Sequence, residues 1–165
     1  MKTMNHLTRR MHLALVAALV VASAPLPWPT LALAQGPGIP ARVTVVLAKE
    51  EAGAVDPSLR SMSALSRPPF SAYRSMAVLS RQQLNLHTSQ PVNVDLPNGR
   101  RLQVELQRVM PDGRFRVRVS INRPGHQDYL PLLTVVAAPG DPFFVAGQGY
   151  SGGTLIIGVE LGAAH

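Results

Sequence analysis

Two runs of strictly alternating apolar residues, joined by Pro97-Asn98-Gly99, restrict this chain more than any other feature of it. Val92, Val94 and Leu96 alternate with Asn93 and Asp95, and Leu102, Val104 and Leu106 alternate beyond the turn. A strand sends successive side chains to opposite faces, so period two puts each apolar set on one side. Pro97 presets the first central position of a turn, and Gly99 accepts the left-handed one. A three-residue loop over 97–99 sets Val94 opposite Leu102 and Val92 opposite Val104. One face of the pair is then wholly apolar, so turn chemistry and hydrophobic phase agree. An antiparallel hairpin with one buried face is predicted.

The same grammar extends along the chain. Pro111-Asp112-Gly113 repeats the turn chemistry ahead of Phe115, Val117, Val119 and Ile121. Here a three-residue loop sets Leu106 opposite Arg118. A bulge near Gln107-Arg108, or a four-residue loop, would set it opposite Val119. Pro124-Gly125 is the next turn, residues 129–137 the next strand, and Pro131 marks that strand as an edge. Residues 139–142 (PGDP) turn the chain into Phe143-Phe144-Val145. Residues 154–161 (TLIIGVEL) are apolar on both faces and predict a central strand. Nearer the start, residues 42–48 (RVTVVLA) read as the first strand. Asp56-Pro57 gives a helix start, with Leu59, Met62 and Leu65 as a stripe lying against a sheet and Pro68-Pro69 as the stop. Residues 60–67 (RSMSALSR) and 74–81 (RSMAVLSR) echo each other at six of eight positions. The second copy reads as strand, because Met76, Val78, Leu84 and Leu86 share one parity. The fold class is mainly β (α+β): an antiparallel β-sandwich or curved sheet of about eight strands, with one short helix after the first strand.

Residues 1–34 read as a cleaved signal peptide. Lys2, Arg9 and Arg10 precede the apolar run 13–24, and Ala32 and Ala34 stand at −3 and −1 before Gln35. The run is about a dozen residues, short of the ~20 that span a bilayer. Thr8-Arg9-Arg10-Met11-His12-Leu13 resembles the twin-arginine export motif, with His12 where Phe is usual; the Sec route is the favoured expectation. Residues 35–41 are a Gly/Pro linker, 42–162 one β-rich domain and 163–165 a tail. About 130 residues remain after cleavage, enough to bury a core. The sequence has no cysteine, so disulfides, a lipid anchor and thiolate metal sites are excluded. Net charge falls from +7 to +4 once the three basic leader residues are removed. That is compatible with an anionic partner and selects none.

Gly149-Tyr150-Ser151-Gly152-Gly153 fits the G-x-S-x-G pattern of a nucleophile elbow, which makes Ser151 a candidate nucleophile. The elbow needs a strand before it and a helix after it, and here a strand follows. Only Glu160 and His165 come after Ser151, on or beyond that strand. The plainer expectation is a flexible glycine loop, and residues 147–153 open no helix that could hold a phosphate. Arg114, Arg116 and Arg118 alternate on one strand face, with Arg100, Arg101, Arg108 and Arg123 near in sequence. The ladder could bind a sulfated or phosphorylated polymer; it could equally be a solvated face that deters edge pairing. No aromatics interleave with it on that face for stacking bases, so nucleic acid is disfavoured. The histidines after the leader are His87, His126 and His165, and His126 with Asp128 is too little for a metal site. Glu50-Glu51 falls in a loop. No metal or cofactor is expected.

The segments VTVVLA, VDPSL, FSAYRSM, LPNGRRLQV and GGTLIIGVEL together resemble small exported hypothetical proteins of Gram-negative bacteria. The resemblance implies an exported context, periplasmic or extracellular, and carries no site residues. The functional expectation is a non-enzymatic binding or scaffolding module of the cell envelope, its partner an envelope protein or an anionic polymer. The alternatives are a secreted serine hydrolase using Ser151 and a carbohydrate- or polyanion-binding β-sandwich.

Overall fold

A computed structural model describes residues 37–126 and 128–162. The leader and His165 lie outside the described residues. Eight strands form two four-stranded antiparallel sheets. They are β1 (Ile39–Lys49), β2 (Ser75–Leu86), β3 (Val92–Asp95), β4 (Arg101–Val109), β5 (Phe115–Asn122), β6 (Tyr129–Ala137), β7 (Phe143–Tyr150) and β8 (Gly153–Leu161). One sheet has the order β2-β1-β8-β7 and the other β3-β4-β5-β6. Every strand therefore pairs with a sequence neighbour, and β1 also pairs with β8. β1 begins at Ile39, so the end of the expected linker is already strand.

The main core lies between the sheets. Val43, Val45, Leu155, Ile157, Val159 and Leu161 from one sheet meet Leu102, Val104, Leu106, Val117, Val119 and Ile121 from the other. The alternation read from the sequence holds on β5: Phe115, Val117, Val119 and Ile121 are buried, while Arg116 is half-buried and Arg118 exposed. β8 sits between β1 and β7 and is buried on both faces, and β6, with Pro131, is an edge.

The β3–β4 hairpin has the expected register, Val94 opposite Leu102 and Val92 opposite Val104. The Leu96 amide donates to the Arg100 carbonyl at 2.8 Å, and Gly99 takes φ +77°. The β4–β5 hairpin repeats this loop, with the Met110 amide donating to the Arg114 carbonyl at 2.7 Å. Its bulge lies at Gln107, where expected, and a residue added to β4 moves the partner of Leu106 toward the turn rather than away from it. Leu106 consequently faces Val117, not Val119.

The single helix predicted between Asp56-Pro57 and Pro68-Pro69 does not form. Two separate 3-10 turns stand there, Pro57–Leu59 and Ser63–Ser66, and a third, Phe70–Ala72, follows the two prolines. The start is as read: Asp56 Oδ1 accepts the Ser58 amide at 2.9 Å and Pro57 is at the first position. Met62, at φ −88° and ψ 84°, leaves the helical region and stops propagation. Four serines between 58 and 66 favour such local turns, since their hydroxyls compete with helical bonds. The expected stripe survives without the helix. Leu59 and Leu65, with Met62 packed beside them, form a second core with Val46, Ala48, Met76 and Ile156 on the outer face of the first sheet. Phe70 meets Phe144 edge-to-face at 5.8 Å over that sheet.

The second copy of the echo is strand, as read, but its shared parity does not mean a shared face. The register passes from Val45–Ser80 to Val46–Val78, so Leu79 is an extra residue in β2. Beyond it the face reverses. Leu84 and Leu86 enter the main core, whereas Met76 and Val78 pack under the cover formed by the 3-10 turns.

Candidate functional site

The glycine-rich segment is a tight hairpin, not a flexible loop. Gly147 to Tyr150 belong to β7, Tyr150 pairs with Gly153, and Ser151-Gly152 form a two-residue turn. Their φ values are +45° and +74°. Positive φ at both central residues is the signature of a type I′ turn, whose twist matches that of the strands it joins. A β-carbon on Gly153 would lie 2.5 Å from the Ala48 carbonyl oxygen, so the hairpin end rests directly on β1. Beside it is a hollow of about 250 Å³ lined by Lys49, Glu50, Glu51, Tyr73 and residues 152–154. Ser151 is not among its lining residues. The nucleophile-elbow context is absent here, because strands stand on both sides of the serine.

The arginine ladder is divided. Arg114 precedes β5 and belongs to the turn, where its guanidinium donates to Asp112 at 2.7 Å. Arg114's side-chain hydrogen bond, then its backbone amide, holds the Asp112 carboxyl below its ordinary value, and Arg114 is raised in return. Arg118 is paired across the strands with Glu105. Arg101 pairs with Asp95 at 3.2 Å, and Arg123 with Asp128 at 2.7 Å. Asp128 is thereby engaged, and among the described residues no cluster of three or more potential metal ligands forms. Arg100 donates to the Asn122 carbonyl and to Gln148 at 2.7 Å. The exception is Arg116. It stands directly opposite Arg108, and its side chain donates to Gln107 at 3.3 Å. His87 lines a hollow of about 230 Å³ with Ile39, Leu106 and Val109 at the edge of the main core.

Under the cover lies a different surface, which inspection of the ladder misses. A hollow of about 390 Å³ is lined by Val55, Leu59, Leu65 and Met76, with Arg60, Ser66, Ser71 and Tyr73. Arg60, Arg67, Arg74 and Arg81 recur every seven residues, and no acid occurs between Asp56 and Asp95. Among the described residues, Arg60, Arg67 and Arg74 take part in none of the five ion pairs. Arg81 reaches the Ser58 hydroxyl, which itself donates to Asp56 at 2.6 Å. Ser58's hydroxyl, then its amide, keeps the Asp56 carboxyl below its ordinary value. Of the arginines matched in the echo of 60–67 and 74–81, Arg60 lines the hollow. At the other margin of the cover, Arg42 and Glu160 pair across β1 and β8 at 3.4 Å. They line a polar cleft of about 350 Å³ with Ser61, Ser63 and Asp141.

Among the described residues no helix is long and apolar enough to cross a membrane. Comparison with protein families, curated proteins and solved structures found no match to this chain.

Proposed function

We propose that this protein is exported to the cell envelope, periplasmic or extracellular, and acts there as a non-enzymatic binding or scaffolding module. The export half rests on the leader: basic start, short apolar run, and Ala32 and Ala34 before Gln35. The observation that carries the other half is the β7–β8 hairpin. It gives Ser151 a turn role, which accounts for its glycine neighbours without catalysis. The serine-hydrolase reading would need a base brought to that turn from elsewhere. The test is made on protein recovered from its native host. Intact mass should place the first residue at Gln35, as glutamine or pyroglutamate, and a fluorophosphonate probe should leave Ser151 unlabelled. Retention of residues 1–34 would overturn the export reading, and stoichiometric labelling of Ser151 would restore the hydrolase.

A second reading, a polyanion contact on the outer face of the β3–β6 sheet, is favoured by one feature. Like charges directly opposite in a sheet are destabilising. Arg108 and Arg116 are such a pair, on a face whose other arginines, Arg101 and Arg118, have acidic partners.

A further inference from the structure

We infer that the free edge of β6 is a self-association edge: residues 133–137 pair antiparallel with the same residues of a second copy of this chain. β6 is the last strand of its sheet, with a hydrogen-bonded neighbour, β5, on one side only. Such an edge leaves a row of backbone N–H and C=O groups that another strand can complete. Folded proteins blunt these rows with charge, brevity, bulges or cover. The other three edges of the sandwich are blunted. β3 has four residues and ends on Asp95. β2 carries Arg81 and a bulge at Leu79, and residues 54–56 cover its start through two backbone hydrogen bonds to Met76. β7 bulges at Gly147. β6 runs for nine residues without a charge. Pro131 and the bulge at Leu132 interrupt its first half, and residues 133–137 have neither device. Leu130, Leu132 and Val136 are three of the five exposed large apolar side chains among the described residues, so this edge is also the most apolar one.

The uninterrupted segment is its own complement. Val135 is its midpoint. Laid antiparallel on its copy over its full length, it sets Val135 opposite Val135, Leu133 opposite Ala137 and Thr134 opposite Val136, about a two-fold axis. Leu133 and Val135 already pack, half-buried, against the main core, so their copies extend that core across the seam. On the outer face each exposed Val136 gains a threonine beside it, a β-branched cross-strand pair. Charge permits the approach. Between Asp128 and Glu160 the one charged residue is Asp141, in the turn before β7. The arginines opposite this segment, Arg116 and Arg118, stand one strand inward on β5. Across the seam the two β5 backbones lie three strand spacings apart, about 14 Å, beyond the ~8–10 Å screening length of ordinary salt. A foreign strand would need this same uncharged, β-branched pattern, which a second copy supplies.

Five residues a side are few beside the roughly 20–30 of a stable interface, so the association is weak, and sedimentation equilibrium of the purified protein runs from about 10 μM to about 1 mM. The mass should rise from one chain toward two and stop there. Thr134→Lys with Val136→Lys sets lysine opposite lysine twice across the seam and should weaken association at least about tenfold. Thr134→Lys with Val136→Glu sets each lysine opposite a glutamate and should restore it. Both positions are exposed, so circular dichroism and the melt should match the parent. If either variant misfolds, amide exchange on the unaltered protein replaces it. The amides of 133–137 that point away from β5 should then exchange more slowly at the high concentration than at the low one, and those of β3 should not change. A single-chain mass throughout, association that the lysine pair leaves intact, failure of the lysine–glutamate variant to restore it, growth past two copies, or exchange at 133–137 indifferent to concentration would overturn the inference. None of these outcomes bears on leader cleavage or Ser151 labelling.

Discussion

Ser151 and Gly153 are neighbours of the same turn with opposite tolerances. Ser151 holds φ +45°, a region that costs an L-residue with a β-carbon roughly 1 kcal/mol and that asparagine enters more readily. Gly153 has no positive φ to defend; its constraint is space. A β-carbon there meets the Ala48 carbonyl at 2.5 Å and the Leu47 and Lys49 side chains at 2.9 Å. Backbone oxygen in a central strand cannot swing aside as a side chain can. Ser151→Asn should therefore stabilise the protein by about 0.5–1 kcal/mol, whereas Gly153→Ala should cost about 2 kcal/mol or more. Denaturant melts of the two variants check both signs. Neither constraint was legible as such in GYSGG, where pattern alone made the serine conspicuous and the glycines a flexible surround. The distinction between a positive φ and a close approach exists only once β8 lies beside β1.

Among the elements, strands and their turns were readable because period two and Pro-x-Gly chemistry are local. The bulges were less so. Leu79, Gln107 and Leu132 each add a residue to one strand, and nothing in those side chains announces it. The sequence located the bulge at Gln107 only because the hydrophobic phase fails there, and it assigned Leu106 to Val119 where the added residue brings it to Val117. The 3-10 cover escaped for a related reason: capping at Asp56 is the same for one turn of helix or for three. The Arg108–Arg116 juxtaposition lies between the turn and the Gln107 bulge and follows from the three-residue loop alone. It allows a charge-matched experiment on the face of the second sheet. Arg108→Ala with Arg116→Ala removes two cations that face each other; Arg101→Ala with Arg118→Ala removes two that have acidic partners. If the face contacts a polyanion, the first pair should elute from heparin at clearly lower salt than the second, with its melting temperature held or raised. Equal elution would reduce the face to solvated charge.

At the scale of the whole molecule, the pairing of β1 with β8 is the step no local signal announces. It joins residues 39–49 to residues 153–161 at the centre of one sheet, so the strands farthest apart in sequence are the ones on which the sandwich closes. The Gly162 amide donates to the Pro40 carbonyl at 2.8 Å, which brings the two ends of the described domain together. Two consequences follow. Removing residues 153–165 deletes five buried side chains, Leu155, Ile156, Ile157, Val159 and Leu161. At roughly 1.5–3 kcal/mol each, that is about 10 kcal/mol, as much as the whole stability of an ordinary domain. The truncated chain should be unfolded by far-UV circular dichroism and show no cooperative melt. By contrast, a permutant that joins Gly162 to Ile39 through a short Gly/Ser linker and opens between Pro97 and Asn98 retains all eight strands. It gives up only the exposed β3–β4 turn. It should keep the β signature and a cooperative melt, with a modest loss of stability from the opened turn. Collapse of the permutant would mean that the β3–β4 hairpin, not the β1–β8 seam, is what the rest of the sandwich assembles on.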